Sequence, residues 1–450
     1  MGILGALSSA VSGLSAQSYA LENISNNIAN SQTVGYKRIE TSFADLVTDS
    51  PTGGLITGSG VSYSAFSNVA QGTTTPTGIP TNMALSGNGF FAVGKNDGSV
   101  TNPSFSGINQ FTRRGDFKTD INGYLVNGAN RYLVGTSYDP STGAVTGSQT
   151  TPIKLPSTPL PPKPTTEIRY YGNLPSIPKP NNYNAATANS DLINPADFTT
   201  NPVTTGTVTG QDQSVFLNES ITGGEITLYT SSGTASTAQL RWAKTASSNT
   251  GNTWQLFYQT NSKATGAQVA WQSVGSNVTF DANGKLSSAS SIPITNLTID
   301  GTNVGNVNLS FAQGLTQTGD TNGSATTRVD QNGYTSGSLS SVEVQLDGTI
   351  IGSFSNGQKS KLAQVTVAHF ASDTSLRRED GGTFSATGAS GAPTYGLNGS
   401  SIAGGSVEAS NTDISDEFSK MIVTQQAYSA NTRVLTTAQT MLQDILNVIR

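Results

Sequence analysis

The chain has 450 residues, enough for several domains and a sizeable core, yet only 11% of them are charged, against roughly a quarter in ordinary globular proteins. Its net charge of -5, with Lys and Arg scattered, argues against a nucleic-acid-binding face, because phosphate recognition needs clustered basic side chains. With no cysteine and one histidine, disulfides, thiolate sites and histidine clusters are excluded, and neither a metal nor a cofactor is expected.

The first predicted element is an N-terminal helix. Leu4, Leu7, Val11, Leu14, Ser18, Leu21, Ser25 and Ile28 follow a three-four alternation, the spacing of a seam buried against another helix. Ala6, Ala10, Gly13 and Ala16 lie between them and allow close backbone approach. These apolar residues are spaced rather than continuous, and the first basic residue is Lys37, so no cleaved secretory leader is expected. Ala6 stands where a myristoylation site needs Ser or Thr, and no run approaches a membrane span, so no membrane insertion is expected.

The helix should end near Asn30, followed by a turn at Gly35 and a short second helix at Phe43-Ala44-Asp45-Leu46. Between Leu55 and Val134, short alternating runs split by Asn-Gly and Asp-Gly pairs read as β-structure. Gly87-x-Gly89-x-x-Ala92 mimics a dinucleotide fingerprint, but Phe90, Phe91 and Val93 read as strand where a helix should open. Residues 99–109 read as an exposed loop. Prolines cluster from Pro152 to Pro180 and suggest an extended crossing between domains.

From about Val215 to Phe311 the pattern is all β, with Trp242, Trp254 and Trp271 as core anchors. After about Arg328 the chain returns to the earlier domain. There His369 shares a face with Val365 and Val367 and reads as structural, since Asp373 and an unspecified Ser would make only a nominal triad. Arg377-Arg378-Glu379-Asp380 reads as a solvated charged corner, and the stretch from Gly381 to Gly405 as a flexible or irregular strap.

The last element is one long helix from Thr412 to Arg450, capped by Thr412 or Asp413 and about 55 Å long at 1.5 Å per residue. Ile414, Phe418, Met421, Gln425, Tyr428, Thr432, Leu435, Gln439, Leu442, Leu446 and Ile449 form its seam, and Val434, Ala438, Met441, Ile445 and Val448 a second stripe. A helix apolar on more than one face needs partners. The expected fold is mixed and mainly β, with N- and C-terminal α-helices forming a coiled-coil-like axial domain around nested β-rich middle domains. The predicted assembly interface is Leu4, Leu7, Val11, Leu14, Leu21 and Ile28 on the first helix, with Ile414, Phe418, Met421, Tyr428, Leu435, Leu442, Ile445 and Ile449 on the last. Heterologous contacts between identical chains propagate as a helical filament when the rotation leaves a rise. The ends are expected to be largely disordered in a lone chain and to fold on assembly.

Three ordered blocks carry a family resemblance. Asn26 to Asn30, then Thr33-Val34-Gly35-Tyr36-Lys37 and Ser42-Phe43-Ala44-Asp45-Leu46, resemble the N-terminal signature of bacterial flagellar rod and hook proteins. Leu85 to Val93 with Gly87, Gly89, Phe90 and Phe91, Phe111 to Phe117 with Gly115, and Asn122-Gly123-Tyr124-Leu125-Val126 resemble the central block. Met421 to Asn431, with Gln425, Ala427 and Tyr428, resembles the C-terminal signature. Gln32 and the inserted residues 99–109 depart from the pattern.

The resemblance implies a hook subunit without enzymatic activity, exported by the flagellar type III apparatus and polymerised under a hook cap. Its partners would be itself, the rod and the hook-filament junction proteins, in a short curved tube outside the cell that couples rod to filament. The expected domains are residues 1–30 plus 412–450 as the axial helices and 31–70 plus 400–411 as connecting segments. Residues 71–165 plus 330–399 make a β-rich middle domain, and 166–329 an inserted outer β domain. A distal rod subunit shares the terminal signatures but lacks an insertion like that from about Pro175 to Val329. A secreted carbohydrate-binding or glycosidase-like protein is the reading from another class, although nothing in the sequence places two carboxylates together.

Overall fold

The computed structural model describes residues 3–48, 56–99, 101, 103–105, 107, 110–148, 151–312 and 314–448. The chain divides into two units. One comprises Met1–Thr158, Leu339–Phe354 and Lys359–Arg450, and the other Pro159–Ser338 with Ser355–Gln358. The protein is mainly β, with a long helix towards each terminus.

In the first unit, helix α1 spans Ile3–Ala29. Its last turn closes through Asn30 N to Asn26 O at 3.1 Å, and Gly35 then takes a left-handed φ of 68°. A Cβ there would stand 2.7 Å from the Arg113 backbone, so only glycine fits that turn. The chain continues as strand β1 (Ile39–Thr48), antiparallel to β2 (Ile56–Phe66), with Ile39 opposite Phe66 and Phe43 opposite Ser62. The helix expected at Phe43–Leu46 is therefore a strand. Four residues are too few to establish a helical period, and the hairpin is pinned to α1 by Asn23 Nδ2 to Thr41 Oγ1 at 2.9 Å and by Tyr19 to Ser64 at 2.7 Å.

The body of this unit is an antiparallel sheet whose central order is Leu339–Val344, Thr349–Phe354, Lys359–Val365, Arg131–Ser137, Phe90–Lys95, Gln110–Thr112, Thr383–Ser385 and Arg377–Glu379. Strands from both arms of the chain interleave, Ala363 opposite Ser137 and Val365 opposite Gly135. Phe90, Phe111, Val134, Leu376 and Phe384 form one core cluster. The Gly87-x-Gly89 turn opens the strand Phe90–Lys95.

One expectation changes here. The stretch after Gly381 is ordered: Ser401–Gly404 pairs with Met83–Ser86, and Ser406–Glu408 with Thr74–Pro76. Residues 99–109 form an exposed loop where described, with Ser99, Thr101, Ser104 and Gly107 exposed, and it is anchored at one point, where Asn96 bridges Phe105 and the Phe105 ring packs 5.0 Å from Tyr132 and 5.5 Å from Tyr124.

The second unit contains two sheets. In one, Glu167–Pro175 runs parallel to Thr302–Ser310 and Leu315–Thr318 and antiparallel to Thr326–Gln331. A regular strand thus emerges from the proline-rich stretch, because Ile168, Tyr170 and Leu174 alternate into the core. The other sheet orders Thr207–Thr209, Val269–Ser273, Gly251–Gln259, Ala235–Ser248 and Ile221–Tyr229. A short helix α2 (Gln213–Glu219) lies within the segment read as all β. Trp242, Trp254 and Trp271 are all buried, and Trp242 Nε1 donates to the Tyr170 hydroxyl at 2.7 Å, which satisfies the indole inside an apolar core.

Candidate assembly site

The C-terminal helix, α3 (Ile414–Val448), starts at Asp413, whose Oδ1 accepts from Ser415 N at 2.8 Å and Asp416 N at 3.3 Å. Asp416 and Glu417 occupy its positive end. It packs on α1 through small or polar residues. Ala10, Ala16, Ala20, Asn23, Ile24 and Asn27 are buried on α1, with Glu417, Thr424 and Ala438 on α3. A Cβ on Gly13 would lie 2.8 Å from the Asn431 amide, so glycine sets the closest approach of the pair.

The predicted interface residues divide between half-buried and exposed. Leu7, Leu14, Leu21, Ile28, Met421, Leu435 and Leu442 are half-buried, while Val11, Ile414, Phe418, Tyr428 and Ile445 are exposed. The Leu4 side chain and Ile449 lie outside the described residues. Ile422, Val423, Val434, Met441 and Leu446 extend the exposed apolar surface of α3. Its hydroxyl groups turn inward on the helix: Thr424 donates to Lys420 O, Thr432 to Tyr428 O, Thr437 to Arg433 O and Thr440 to Thr436 O, at 2.8–3.0 Å.

The roots of the two helices are joined by buried polar groups. Asn27 Nδ2 donates to Glu417 Oε2 at 2.9 Å, and Asn27 Oδ1 accepts from Tyr36 at 3.2 Å and from Ile39 N at 2.8 Å. Lys420 bonds Glu417 from the outer side at 2.9 Å. Burial pushes the Tyr36 phenol up, with Arg378 opposing and Glu417 adding.

Next to this lies a fully enclosed ion cluster. The Lys37 amine bonds Glu408 Oε1 and the Ala70 carbonyl, the latter at 2.6 Å, and Gly72 N donates to the same Glu408 oxygen at 2.8 Å. Arg113 stands 3.5 Å from Glu408 Oε2 and donates to the Gly87 carbonyl at 2.7 Å. All three side chains are 0% exposed. Burial lowers the proton affinity of Lys37 and Arg113, and Glu408 opposes that in both. Arg378 donates to the Lys37 carbonyl at 2.7 Å, stacks 4.9 Å from Phe66 and is pushed down to about 10 by burial. The expected solvated corner is therefore half enclosed: Arg377 is exposed, but Arg378 turns in under the connecting segment.

The signature residues gather around these features. Asn30 and Thr33 close the turn after α1, Gly35 N bonds the Glu408 carbonyl at 2.7 Å, and Lys37 carries the buried charge. Phe90 and Phe91 are core, Gly115 O accepts from Met83 N at 2.9 Å, and Gly89 packs against His369. Gly123 and Tyr124 belong to a turn that Asp120 Oδ1 closes by accepting from Tyr124 N at 2.8 Å. Phe43 and Gln425 are exposed, and Ala427 is half-buried.

Glu408 is absent from the sequence reading, which takes Arg113 only as part of the central block and Glu417 only as a charge at the start of the last helix. The available signal was charge set among small or apolar neighbours, as in Ser406-Val407-Glu408-Ala409. Elsewhere, Asp197 and Glu219 line one cavity, two acids that the sequence could not place together. Among the described residues no group of acids or histidine is disposed to hold a metal ion.

Residues 7–37 match a sequence-family model described as Flagella basal body rod protein, and 403–448 match Flagellar basal body rod FlgEFG protein C-terminal. Residues 218–334 match Flagellar basal body protein FlaE D2 domain. The flagellar hook protein FlgE of Salmonella typhimurium is 32% identical over 449 residues, covering 98% of this chain and 99% of that one. The chain belongs to the flagellar hook protein family. The Escherichia coli FlgE is 33% identical over 455 residues, with 98% and 100% covered. A crystal structure of the Helicobacter pylori hook protein FlgE2 shares the fold, with a TM-score of 0.51 at 17% identity, covering 74% of this chain and all of that one. In this hook-family chain the buried lock spans both terminal matches, since the first ends on Lys37 and the second contains Glu408 and Glu417.

Proposed function

We propose that the chain is a structural subunit of the bacterial flagellar hook that polymerises into a curved helical tube, a flexible coupling between rod and filament. The observation that carries this reading is the apolar surface of α3, where Ile414, Phe418, Ile422, Tyr428, Met441, Ile445 and Leu446 stay exposed after α1 has been packed. Single exposed apolar residues are ordinary, but a stripe along 35 residues calls for neighbours. Copies of the same chain supply them without adding new sequence, and the predicted interface residues on both helices would be covered in that assembly. The terminal helices form the axial domain. Residues 31–70 and 400–411 connect it to the β-rich middle domain, and 166–329 form the outer domain.

The partners are other copies of the chain, the hook cap, the rod, the hook-filament junction proteins and the export apparatus. The subunit is exported and acts structurally, not as an enzyme. A large inserted unit also separates this chain from a compact rod subunit. Electron microscopy of concentrated protein tests the proposal. Curved tubes are expected, and their loss in Phe418→Ser/Ile422→Ser with both units folded; straight tubes would point to a rod, and no polymer at any concentration would overturn it.

A further inference from the structure

A cavity of about 660 Å³ opens in the second unit, walled by residues from the stretch 182–197 together with Glu219 and Thr245, a volume within the range of small-molecule sites. Its polar lining consists of carboxylates, amides and hydroxyls, among them Asn182, Asn189, Ser190, Asp197 and Glu219, and no Lys, Arg or His lines it. Such a wall repels phosphates, sulfates and carboxylates. Glu219 ends α2 and is 4% exposed. Its Oε2 accepts from Asn194 N at 2.8 Å, and its Oε1 from Asn182 Nδ2 at 3.4 Å. Both donors favour the ionised form, yet together they fill only part of a carboxylate's accepting capacity.

Glu219 has no countercharge of its own. Among the described residues, none of the ion pairs includes Glu219 or Asp197. Lys244 bonds Asp191 and the Ser176 carbonyl, both at 2.8 Å, and Arg241 caps α2 through Leu217 O at 2.9 Å and Ser220 O at 2.6 Å, so both cations are committed. A carboxylate so deeply buried is normally paired, because an isolated charge away from water is costly. Here the partner can enter through the cavity. A bare divalent metal ion fits less well, since no group of three or more acids or histidines among the described residues could hold one.

We propose that this cavity binds an organic ammonium group, with Glu219 as its countercharge and the exposed Asp197 as a second carboxylate in the wall. The chemistry fits an aliphatic polyamine free in solution or a lysine side chain of a second copy of this chain. An ammonium carries N–H donors and no acceptor, so it can meet Glu219 Oε1 and the amide and hydroxyl oxygens of Asn182, Asn189 or Ser190 together. Burial pushes the Glu219 carboxyl up to about 7, with the Asn194 N–H opposing, and a bound cation would offset that penalty. A free amine can occupy the cavity of a lone chain, so the site does not depend on polymer formation.

Isothermal titration calorimetry of the full chain at about pH 8, where the carboxylate is ionised, tests this with putrescine, and with glucose and inorganic phosphate as neutral and anionic comparators. Putrescine should bind with saturation and the comparators should not. Glu219→Gln should weaken putrescine on the order of tenfold or more, as expected when a charged hydrogen-bond acceptor is made neutral, and Asp197→Asn by about threefold. The same titration on assembled tubes separates the sources: retained binding marks a free amine as the occupant, and lost binding a lysine of the neighbouring copy. No saturation by putrescine at about 10 mM, equal binding of glucose or phosphate, or unchanged affinity in Glu219→Gln overturns the proposal. Should Glu219→Gln fail to fold, Asp197→Asn decides alone, and unchanged affinity there overturns it equally.

Discussion

Replacing Glu408 with Gln should uncouple the two units in a denaturation experiment. The carboxylate answers Lys37 and Arg113, and all three side chains are 0% exposed. Gln preserves shape and can still accept from Gly72 N, which Glu408 does at 2.8 Å, but it leaves two buried cations without a countercharge. Removing one partner of a buried ion pair costs about 3–5 kcal/mol, and the retained hydrogen bonds place this variant near the lower end, roughly a hundredfold in the folding equilibrium. The two units report separately. Trp242, Trp254 and Trp271, the protein's three tryptophans, lie in the second unit, whereas α1 and α3, with 27 and 35 residues, lie in the first. The far-UV circular dichroism transition in urea should therefore move to lower denaturant while the tryptophan transition stays. A helix transition within about 0.5 kcal/mol of the parent, or an equal shift of both, would refute the reasoning.

Gly35→Ala should destabilise the first unit by about 1–3 kcal/mol, since φ is 68° and the new Cβ would meet the Arg113 backbone at 2.7 Å; the same urea series checks it. Phe418→Ser/Ile422→Ser should leave monomer stability within about 1 kcal/mol and abolish polymerisation, read by sedimentation. Trp242→Phe should cost the second unit about 1–3 kcal/mol, because the Tyr170 hydroxyl loses its donor at 2.7 Å; the transition is followed through the two remaining tryptophans. Glu379 is held down to about 2 by Arg377 first, then Gln110 and Ser385, so its contribution is present above 4.5 and lost as pH falls through about 2. Because Arg377 is 71% exposed, the effect should be under about 1 kcal/mol, and Glu379→Gln should remove it from an acid titration of the first unit.

The terminal helices were legible because their apolar spacing persists over many turns, whereas β1 was not, because Phe43–Leu46 is short enough to suit either period. The seam of α3 was legible only in part. Spacing marks which residues are apolar, but Gly13 and the alanines of α1 decide that Thr424 and Ala438 turn inward while Phe418 stays outside. The ion cluster was hidden for a different reason. Lys37, Arg113 and Glu408 are far apart in sequence, and only the pairing of Ser406–Glu408 with Thr74–Pro76 carries the acid to the base. Likewise Asn194 N reaches Glu219 Oε2 at 2.8 Å because a loop folds back over the end of α2, a closure without local periodicity.

The threonines of α3 have one more implication. A hydroxyl that already donates to its own backbone, as Thr432 does to Tyr428 O at 2.9 Å, has no donor left waiting for solvent. Sheathing these threonines would strand no donor of theirs, so they are as ready for a dry environment as the oily side chains beside them.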